Sequence, residues 1–176
     1  MSFLLLMAAP ALLVWLASLA LRHPVNLREA MRLGAVAAFA FTGIDHFVNA
    51  EARYLPMMPA FFGPLSLPLI WFTGAAEIAG AVGLLLPLRV YQRLELPNIR
   101  RVAGLALAAM LALVVIANIN VAIKGSGVSG LAFGNWYFWL RPLFQPFIIA
   151  WVLYASGAIW VQPRTASAEL RGDLGQ

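Results

Sequence analysis

The sequence predicts an all-α protein, a polytopic membrane helix bundle with a four-helix core and one extra N-terminal transmembrane helix. Its 176 residues are 62% hydrophobic and only 11% charged, whereas soluble domains average about 25% charged residues. The apolar residues form long runs joined by short links, and crossing a bilayer takes about 20 mostly apolar residues. Too few polar residues remain to cover a soluble surface.

Five segments are predicted to span the membrane: residues 3–21, 33–50, 64–88, 102–123 and 136–161. The first could instead be a signal peptide, but the leading MSF carries no positive charge, which favours a retained helix. Residues 1–32 would then form the N-terminal helix and its link, residues 33–161 the four-helix core, and residues 162–176 a short tail.

The basic residues predict the orientation. One set lies in the first link, the third link and the tail: Arg22, Arg28, Arg32, Arg89, Arg93, Arg100, Arg101, Arg164 and Arg171. The other two links hold only Arg53 and Lys124. Because basic residues collect on the cytoplasmic side, we expect a multi-pass protein of the bacterial inner (plasma) membrane with its N-terminus outside and its C-terminus in the cytoplasm. The scattered cations form no patch for nucleic acid.

Several chemistries are excluded by composition. The chain has no cysteine, so it has no disulfide, thiolate nucleophile or Cys-ligated metal. Its two histidines, His23 and His46, are predicted at opposite sides of the membrane and cannot share a haem iron. No metal site is predicted, and a redox role would require a bound cofactor or a partner.

Polar residues recur inside the apolar segments, where insertion of a charge costs roughly 2.5–3.5 kcal/mol. Segment two places Thr42, Asp45, His46 and Asn49 on one helical face, because they are three or four residues apart. The other segments contribute Glu77, Asn118, Arg141 and Gln145. The helical rise of 1.5 Å per residue puts the shallower groups roughly 8 Å inside the outer boundary and Glu77 deeper. This distribution predicts a polar pocket that opens, if anywhere, to the outside.

Structural explanations compete with functional ones for these residues. Asp45 and Arg141 could form a buried ion pair that only fixes helix register, and Asn118 could be interhelical glue. Glu77 has no opposite charge within reach on its own helix. We expect Arg141 to contact Asp45 or Glu77 directly or through one water, with Asp45 ionised and Glu77 as the proton-sharing group.

The motifs resemble the DoxX-like membrane proteins over about residues 33–155. They are, in order, FTGIDHF, FTGAAEIAGAVGLLLPLR, ANINVAI and WLRPLFQ. The resemblance places family residues on His46, Glu77, Asn118, Arg141 and Gln145. The family takes its name from a subunit of a thiosulfate:quinone oxidoreductase, and other members belong to redox or stress complexes.

The resemblance implies a membrane subunit that binds a quinone or another lipid-soluble small molecule and is linked to a redox system. His46 and Glu77 would exchange protons as the catalytic pair, and Asp45, Asn118, Arg141 and Gln145 would bind the ligand. The expected partners are membrane lipid and a redox protein. The alternative is a non-enzymatic scaffold or assembly factor with a structural polar core. Whether the chain catalyses a reaction, and whether it forms a homo-oligomer, stays open.

Overall fold

The computed structural model describes residues 3–124 and 135–159, and these residues fold almost entirely as helices. There are five long helices and one short one: α1 Phe3–Ala20, α2 Leu27–Val48, α3 Ser66–Leu85, α4 Leu88–Arg93, α5 Ile99–Lys124 and α6 Asn135–Ser156. The predicted all-α class is confirmed.

Helices α2, α3, α5 and α6 form a closed antiparallel bundle in which each helix packs against two others. Helix α1 packs on the outside of this bundle, against α2. The two backbones approach closely at Gly34, where an added Cβ would lie 2.3 Å from the Met7 carbonyl oxygen. Met7 is buried, while the opposite face of α1, including Leu13, is exposed. The arrangement confirms the predicted four-helix core with an additional N-terminal helix.

The interior of the bundle is apolar and closely packed. Phe39, Leu84, Leu107 and Val152 come from the four core helices and are almost completely buried. Gly80 lets α5 approach α3, because a Cβ there would lie 2.5 Å from the side chain of Leu107. In lipid, van der Waals contact of this kind drives helix association, and small residues make it attainable.

Three helical stretches are long and apolar enough to cross a membrane: Phe3–Ala20, Ala60–Leu85 and Ile99–Lys124. Helix α2 joins them as a fourth when it is taken together with Ala50–Met57, from which it is bent by 97°. Helix α6 has 22 residues, a sufficient length, but it contains Arg141 and Gln145 and is not among these candidates. Within residues 3–124 and 135–159, the structure therefore supports a multi-pass protein with three to four candidate spans. The crossing by α6 and the orientation stay predictions.

Two helix ends differ from the sequence prediction. Helix α2 begins at Leu27, well before residue 33, and Asn26 caps it by accepting a hydrogen bond from the Glu29 amide at 2.8 Å. Helix α6 ends at Ser156, where Gly157 has a φ of 83°. The Ala158 amide bonds to the Leu153 carbonyl at 2.9 Å, as in a Schellman motif. The predicted tail, residues 162–176, and the last two residues of the fifth segment lie outside the described residues.

The link from α2 to α3 lies across one end of the bundle. It contains a π-helix, Ala50–Tyr54, and two short 3₁₀ helices, Leu55–Met57 and Ala60–Leu65. Met57 packs against Val121 on α5, and Asn120 donates a hydrogen bond from Nδ2 to the Met57 carbonyl at 3.0 Å. These contacts hold the link against α5.

Arginines bind helix ends at the other end of the bundle. Arg32 donates to the Leu84 carbonyl at 2.6 Å, Arg100 donates to the Leu86 carbonyl at 2.8 Å, and Arg28 donates to the Tyr154 carbonyl at 2.7 Å. The last carbonyls of a helix lack intrahelical partners and attract cations. These arginines, which the sequence identifies as topology signals, therefore also tie α2 and α5 to the ends of α3 and α6.

Candidate functional site

Two glycines bring Glu77 on α3 against the polar face of α2. An added Cβ on Gly43 would lie 2.9 Å from the Gly74 carbonyl oxygen, and one on Gly74 would lie 2.6 Å from His46 Cβ. The two helices therefore cross with their backbones in contact. Glu77 lies one turn beyond Gly74 and is only 6% exposed, so its carboxyl group faces α2.

Thr42 is the nearest polar partner of Glu77. The Thr42 hydroxyl lies 2.5 Å from Glu77 Oε2 and 3.0 Å from the Ala38 carbonyl oxygen. A hydroxyl has one hydrogen to donate, and a carbonyl only accepts. When Thr42 donates to Ala38, the short contact with Glu77 needs a proton on the Glu77 carboxyl. A protonated Glu77 therefore satisfies both contacts at once.

His46 lies next to the same carboxyl group. Its Nδ1 is 2.8 Å from the Thr42 carbonyl oxygen and 3.6 Å from Glu77 Oε2. Since the carbonyl oxygen can only accept, Nδ1 carries a hydrogen, and in the neutral ring Nε2 is then the acceptor. The ring stacks on Tyr54 with 3.9 Å between ring centroids and 23° between the planes.

Asp45 is surrounded by hydrogen-bond donors from its own end of the bundle. Asn49 donates to Oδ1 at 2.5 Å, Tyr54 donates its hydroxyl to Oδ2 at 2.8 Å, and Arg53 forms an ion pair with Oδ2. An ionised carboxylate is acceptor-only and has about four lone-pair sites. Three donors, one of them cationic, stabilise the ionised form of Asp45.

These contacts join into one group of side chains, which we call the Asp45–Glu77 cluster. It consists of Thr42, Asp45, His46, Asn49, Arg53, Tyr54 and Glu77. Hydrogen bonds and ring contact lead from Glu77 through Thr42 and His46 to Tyr54, and from Tyr54 to Asp45. Two carboxyl groups on different helices are thus linked through a histidine and a tyrosine.

Arg141 is not the direct counter-ion of this cluster. Across residues 3–124 and 135–159, no ion pair within 4.0 Å joins Arg141 to a carboxylate. Arg53 pairs with Asp45, and Thr42 and His46 contact Glu77. The expected direct contact of Arg141 with either carboxyl group is not formed. Arg141 is half-buried on α6.

Asn118 and Gln145 serve other places in the bundle. Gln145 is buried and donates from Nε2 to the Leu111 carbonyl at 2.9 Å, which ties α6 to α5. Asn118 is 4% exposed, and its Oδ1 has no hydrogen-bond partner in the described part of the chain. Of the six predicted site residues, the structure brings together Asp45, His46 and Glu77, and no direct hydrogen bond joins Asn118 or Gln145 to them.

Sequence analysis missed Arg53 and Tyr54 as members of the site. The sequence identifies Arg53 only as a basic residue of a link, and Tyr54 follows it in the same link. Both follow Asp45 by more than two helical turns, and only the 97° bend after α2 returns them to it. No spacing rule for a straight helix could have indicated these contacts.

A groove of about 230 Å³ lies on the outer face of α2, lined by Phe41, Ile44, Asp45 and Val48. Ile44 and Asp45 are adjacent, and each lies three or four residues from Phe41 and from Val48, so the four positions form one stripe along the helix. The three apolar residues are exposed on the surface of the bundle, and Asp45 is 8% exposed. The groove therefore connects the exposed surface of the bundle with the edge of the Asp45–Glu77 cluster. Within residues 3–124 and 135–159, no three His, Asp or Glu side chains are grouped so that they could hold a metal ion.

The fold and the cluster define a multi-pass helical membrane protein with a buried carboxyl, histidine and tyrosine network near one end of its core. The chain belongs to the family described as "Domain of unknown function (DUF8561)", whose sequence model matches residues 35–156. The match covers the four-helix core and leaves out α1. No curated protein and no solved structure matches the chain. The family description does not name DoxX-like proteins, so that resemblance stays an expectation from the motifs.

Proposed function

We propose that this protein is a membrane subunit that binds a quinone or another lipid-soluble small molecule at the Asp45–Glu77 cluster, within a redox system. The observation that carries the proposal is the groove on α2, which leads from the lipid-facing surface to Asp45. Ligand sites are typically concave and mostly apolar with a few polar groups that fix orientation. The groove has this composition.

The proposed ligand would enter the groove from the bilayer. A lipid-soluble molecule concentrates in the membrane and can approach a helix bundle from the side. Phe41, Ile44 and Val48 offer it an apolar wall, and Asp45 is the polar group at that wall. The distribution of basic residues favours a position near the outer surface of the bacterial inner membrane.

The Asp45–Glu77 cluster would supply the groups that hold and release protons. Quinone chemistry couples electron transfer to proton transfer, so its site needs groups that hold and release protons. His46 Nδ1 lies 3.6 Å from Glu77 Oε2, and Tyr54 connects the His46 ring with Asp45. Glu77 and His46 would exchange the proton. The DoxX resemblance would add Arg141 and Gln145 as groups that orient a ligand carbonyl, but neither residue lines the groove on α2. The resemblance also supplies the link to a redox partner protein.

A scaffold or assembly factor is the second candidate, and one observation favours it. Two of the donors to Asp45, Arg53 and Tyr54, lie beyond the 97° bend. The cluster would then serve to hold the α2–α3 link over the bundle, without a ligand.

Binding by the purified protein discriminates between the two. The protein is reconstituted in nanodiscs and titrated with a ubiquinone analogue that has a ten-carbon tail, and bound analogue is measured by mass spectrometry after washing. Ile44→Trp fills the groove, and Val82→Trp makes the same kind of change on the exposed face of α3 as a control. We expect Ile44→Trp to lower binding at least tenfold and Val82→Trp to leave it unchanged. Equal binding by all three proteins, or none by any, contradicts the proposal and favours the scaffold.

A further inference from the structure

We infer that the groove on α2 selects a ligand whose head group donates a hydrogen bond, a neutral hydroxyl on an apolar tail, and so favours a hydroquinone over the corresponding quinone. The inference rests on the proposed function and specifies the form of the ligand that the site holds.

The described residues of the groove offer a ligand a hydrogen-bond acceptor but no donor. Of the lining residues within 3–124 and 135–159, Phe41, Ile44 and Val48 have no polar side-chain atom, and Asp45 is the polar one. The backbone amides of this stretch belong to α2 and are engaged in the helix. Among the described residues of the groove, a ligand carbonyl oxygen therefore meets no donor, whereas a ligand hydroxyl meets a carboxylate acceptor.

The donors nearby are committed to Asp45 itself. Asn49, Arg53 and Tyr54 all donate to its two oxygens, and none of them lines the groove. A carboxylate accepts at about four lone-pair sites, so three internal donors leave one for a ligand. A hydrogen bond to an ionised acceptor is roughly twice as strong as a neutral one, which favours a hydroxyl donor strongly in an apolar groove.

The size and charge of the groove favour a single neutral ring over a phospholipid. A cavity of about 150 Å³ lined by apolar residues holds a benzene molecule, so about 230 Å³ accommodates one substituted ring with the tail left in the bilayer. A phospholipid would bring its phosphate towards the ionised Asp45, and like charges repel more strongly in a low-dielectric setting. A neutral hydroxyl brings no such charge.

Three ligands with the same ring and tail test the inference: decylhydroquinone, its quinone and its dimethyl ether, which has no donor and no redox activity. Binding to the full chain in nanodiscs is measured without oxygen, with Ile44→Trp as the groove variant and Val82→Trp as the control. We expect the hydroquinone to bind at least tenfold more tightly than the quinone and the ether. This advantage should disappear in Ile44→Trp and persist in Val82→Trp.

The other possible outcomes distinguish a failure of the donor inference from a failure of the proposed function. Equal binding of all three ligands, or tighter binding of the quinone, overturns the donor inference while the proposed function stands. A hydroquinone preference that persists in Ile44→Trp overturns the assignment to the groove. Displacement of the hydroquinone by added phosphatidylethanolamine, but not by phosphatidylcholine, makes a phospholipid the occupant and overturns the inference. Failure of every ligand to bind overturns the proposed function itself.

Discussion

The Arg53 guanidinium forms an ion pair with the Asp45 carboxylate across the 97° bend between α2 and the π-helix that follows it. The pair neutralises the more ionisable of the two carboxyl groups without any charge from α6. It also connects the membrane-embedded end of α2 to the link that covers the bundle. Asp45 and Arg53 therefore stabilise the bend as well as the site.

We predict that Asp45 and Arg53 are energetically coupled. The Arg53 side chain is 45% exposed, and partly exposed ion pairs contribute about 1 kcal/mol or less. Arg53→Gln and Asp45→Asn should each lower the midpoint of thermal unfolding in detergent, and the double variant should be little worse than Asp45→Asn alone. Arg93→Gln, at an exposed position in α4, is the control and should have no effect. Additive losses in the double variant would show that the two residues act independently.

The polar face of α2 could be predicted from the sequence, while its counter-ion could not. Thr42, Asp45 and His46 are three or four residues apart, and the helical period alone places them on one face. Arg53 follows Asp45 by eight residues, which in a continued α-helix is about 12 Å along the axis. The bend that shortens this distance depends on tertiary contacts of the link, such as that of Asn120 with Met57, and local patterns do not encode them.

Arg141 illustrates the opposite case, since among the described residues it forms no direct ion pair with either carboxyl group, while contact through one water stays a prediction. It is the one cation inside the apolar part of the last segment, and a depth argument therefore selects it as the partner of the buried carboxyl groups. The depth of a residue along the membrane normal does not determine which side of α6 faces α2. The early start of α2 was missed because Arg28, Glu29 and Arg32 look like a polar link, whereas Arg32 is buried and bonds to the end of α3.

The close approach of α2 and α3 predicts a strong effect of small substitutions at Gly74. A methyl group there would lie 2.6 Å from His46 Cβ and 2.9 Å from the Gly43 carbonyl oxygen, so the helices must move apart. Overpacking of this kind typically costs about 1–3 kcal/mol. Gly74→Ala should lower the unfolding midpoint clearly, whereas Ala79→Val on the exposed face of α3 should not. An unchanged unfolding midpoint for Gly74→Ala would mean that α2 and α3 lie farther apart at their crossing than described.

The two buried amides on α5 and α6 should respond differently to replacement. Gln145→Leu removes the donor to the Leu111 carbonyl, and an unsatisfied buried group costs about 1–3 kcal/mol. Asn118 Oδ1 has no partner among the described residues, so Asn118→Leu should cost less or even stabilise the fold. Chemical denaturation in mild detergent compares the two variants. If Asn118→Leu is the more damaging, Asn118 has a structural partner that its Oδ1 geometry does not indicate.

The orientation can be tested cleanly because the chain has no cysteine. Glu51→Cys and Gln92→Cys introduce single thiols at exposed positions in the α2–α3 link and in α4. A membrane-impermeant maleimide should label Glu51→Cys in intact cells and Gln92→Cys only after permeabilisation, because basic residues collect on the cytoplasmic side. The reverse labelling pattern would place the Asp45–Glu77 cluster near the cytoplasm.

The last prediction concerns which carboxyl group holds a proton. Asp45 has a cation and two neutral donors around it, whereas Glu77 has Thr42 and His46 and no Arg or Lys within 4.0 Å among the described residues. An ionised carboxylate in a low-dielectric interior needs a paired charge, so we expect Asp45 to be ionised and Glu77 to be protonated.

Paired substitutions distinguish the two states. Glu77→Gln resembles the protonated acid, since its amide can still donate to the Thr42 oxygen, and should shift the unfolding midpoint little. Asp45→Asn removes the charge that balances Arg53. It should lower the unfolding midpoint more than Glu77→Gln does, because it breaks a partly buried ion pair. Thermal unfolding of both variants, beside Thr42→Val, measures the difference. If Glu77→Gln were the more damaging, Glu77 would be the ionised group and the proton would belong to Asp45 or His46. If Glu77→Gln folds normally but no longer binds the hydroquinone, Glu77 serves the ligand rather than the fold.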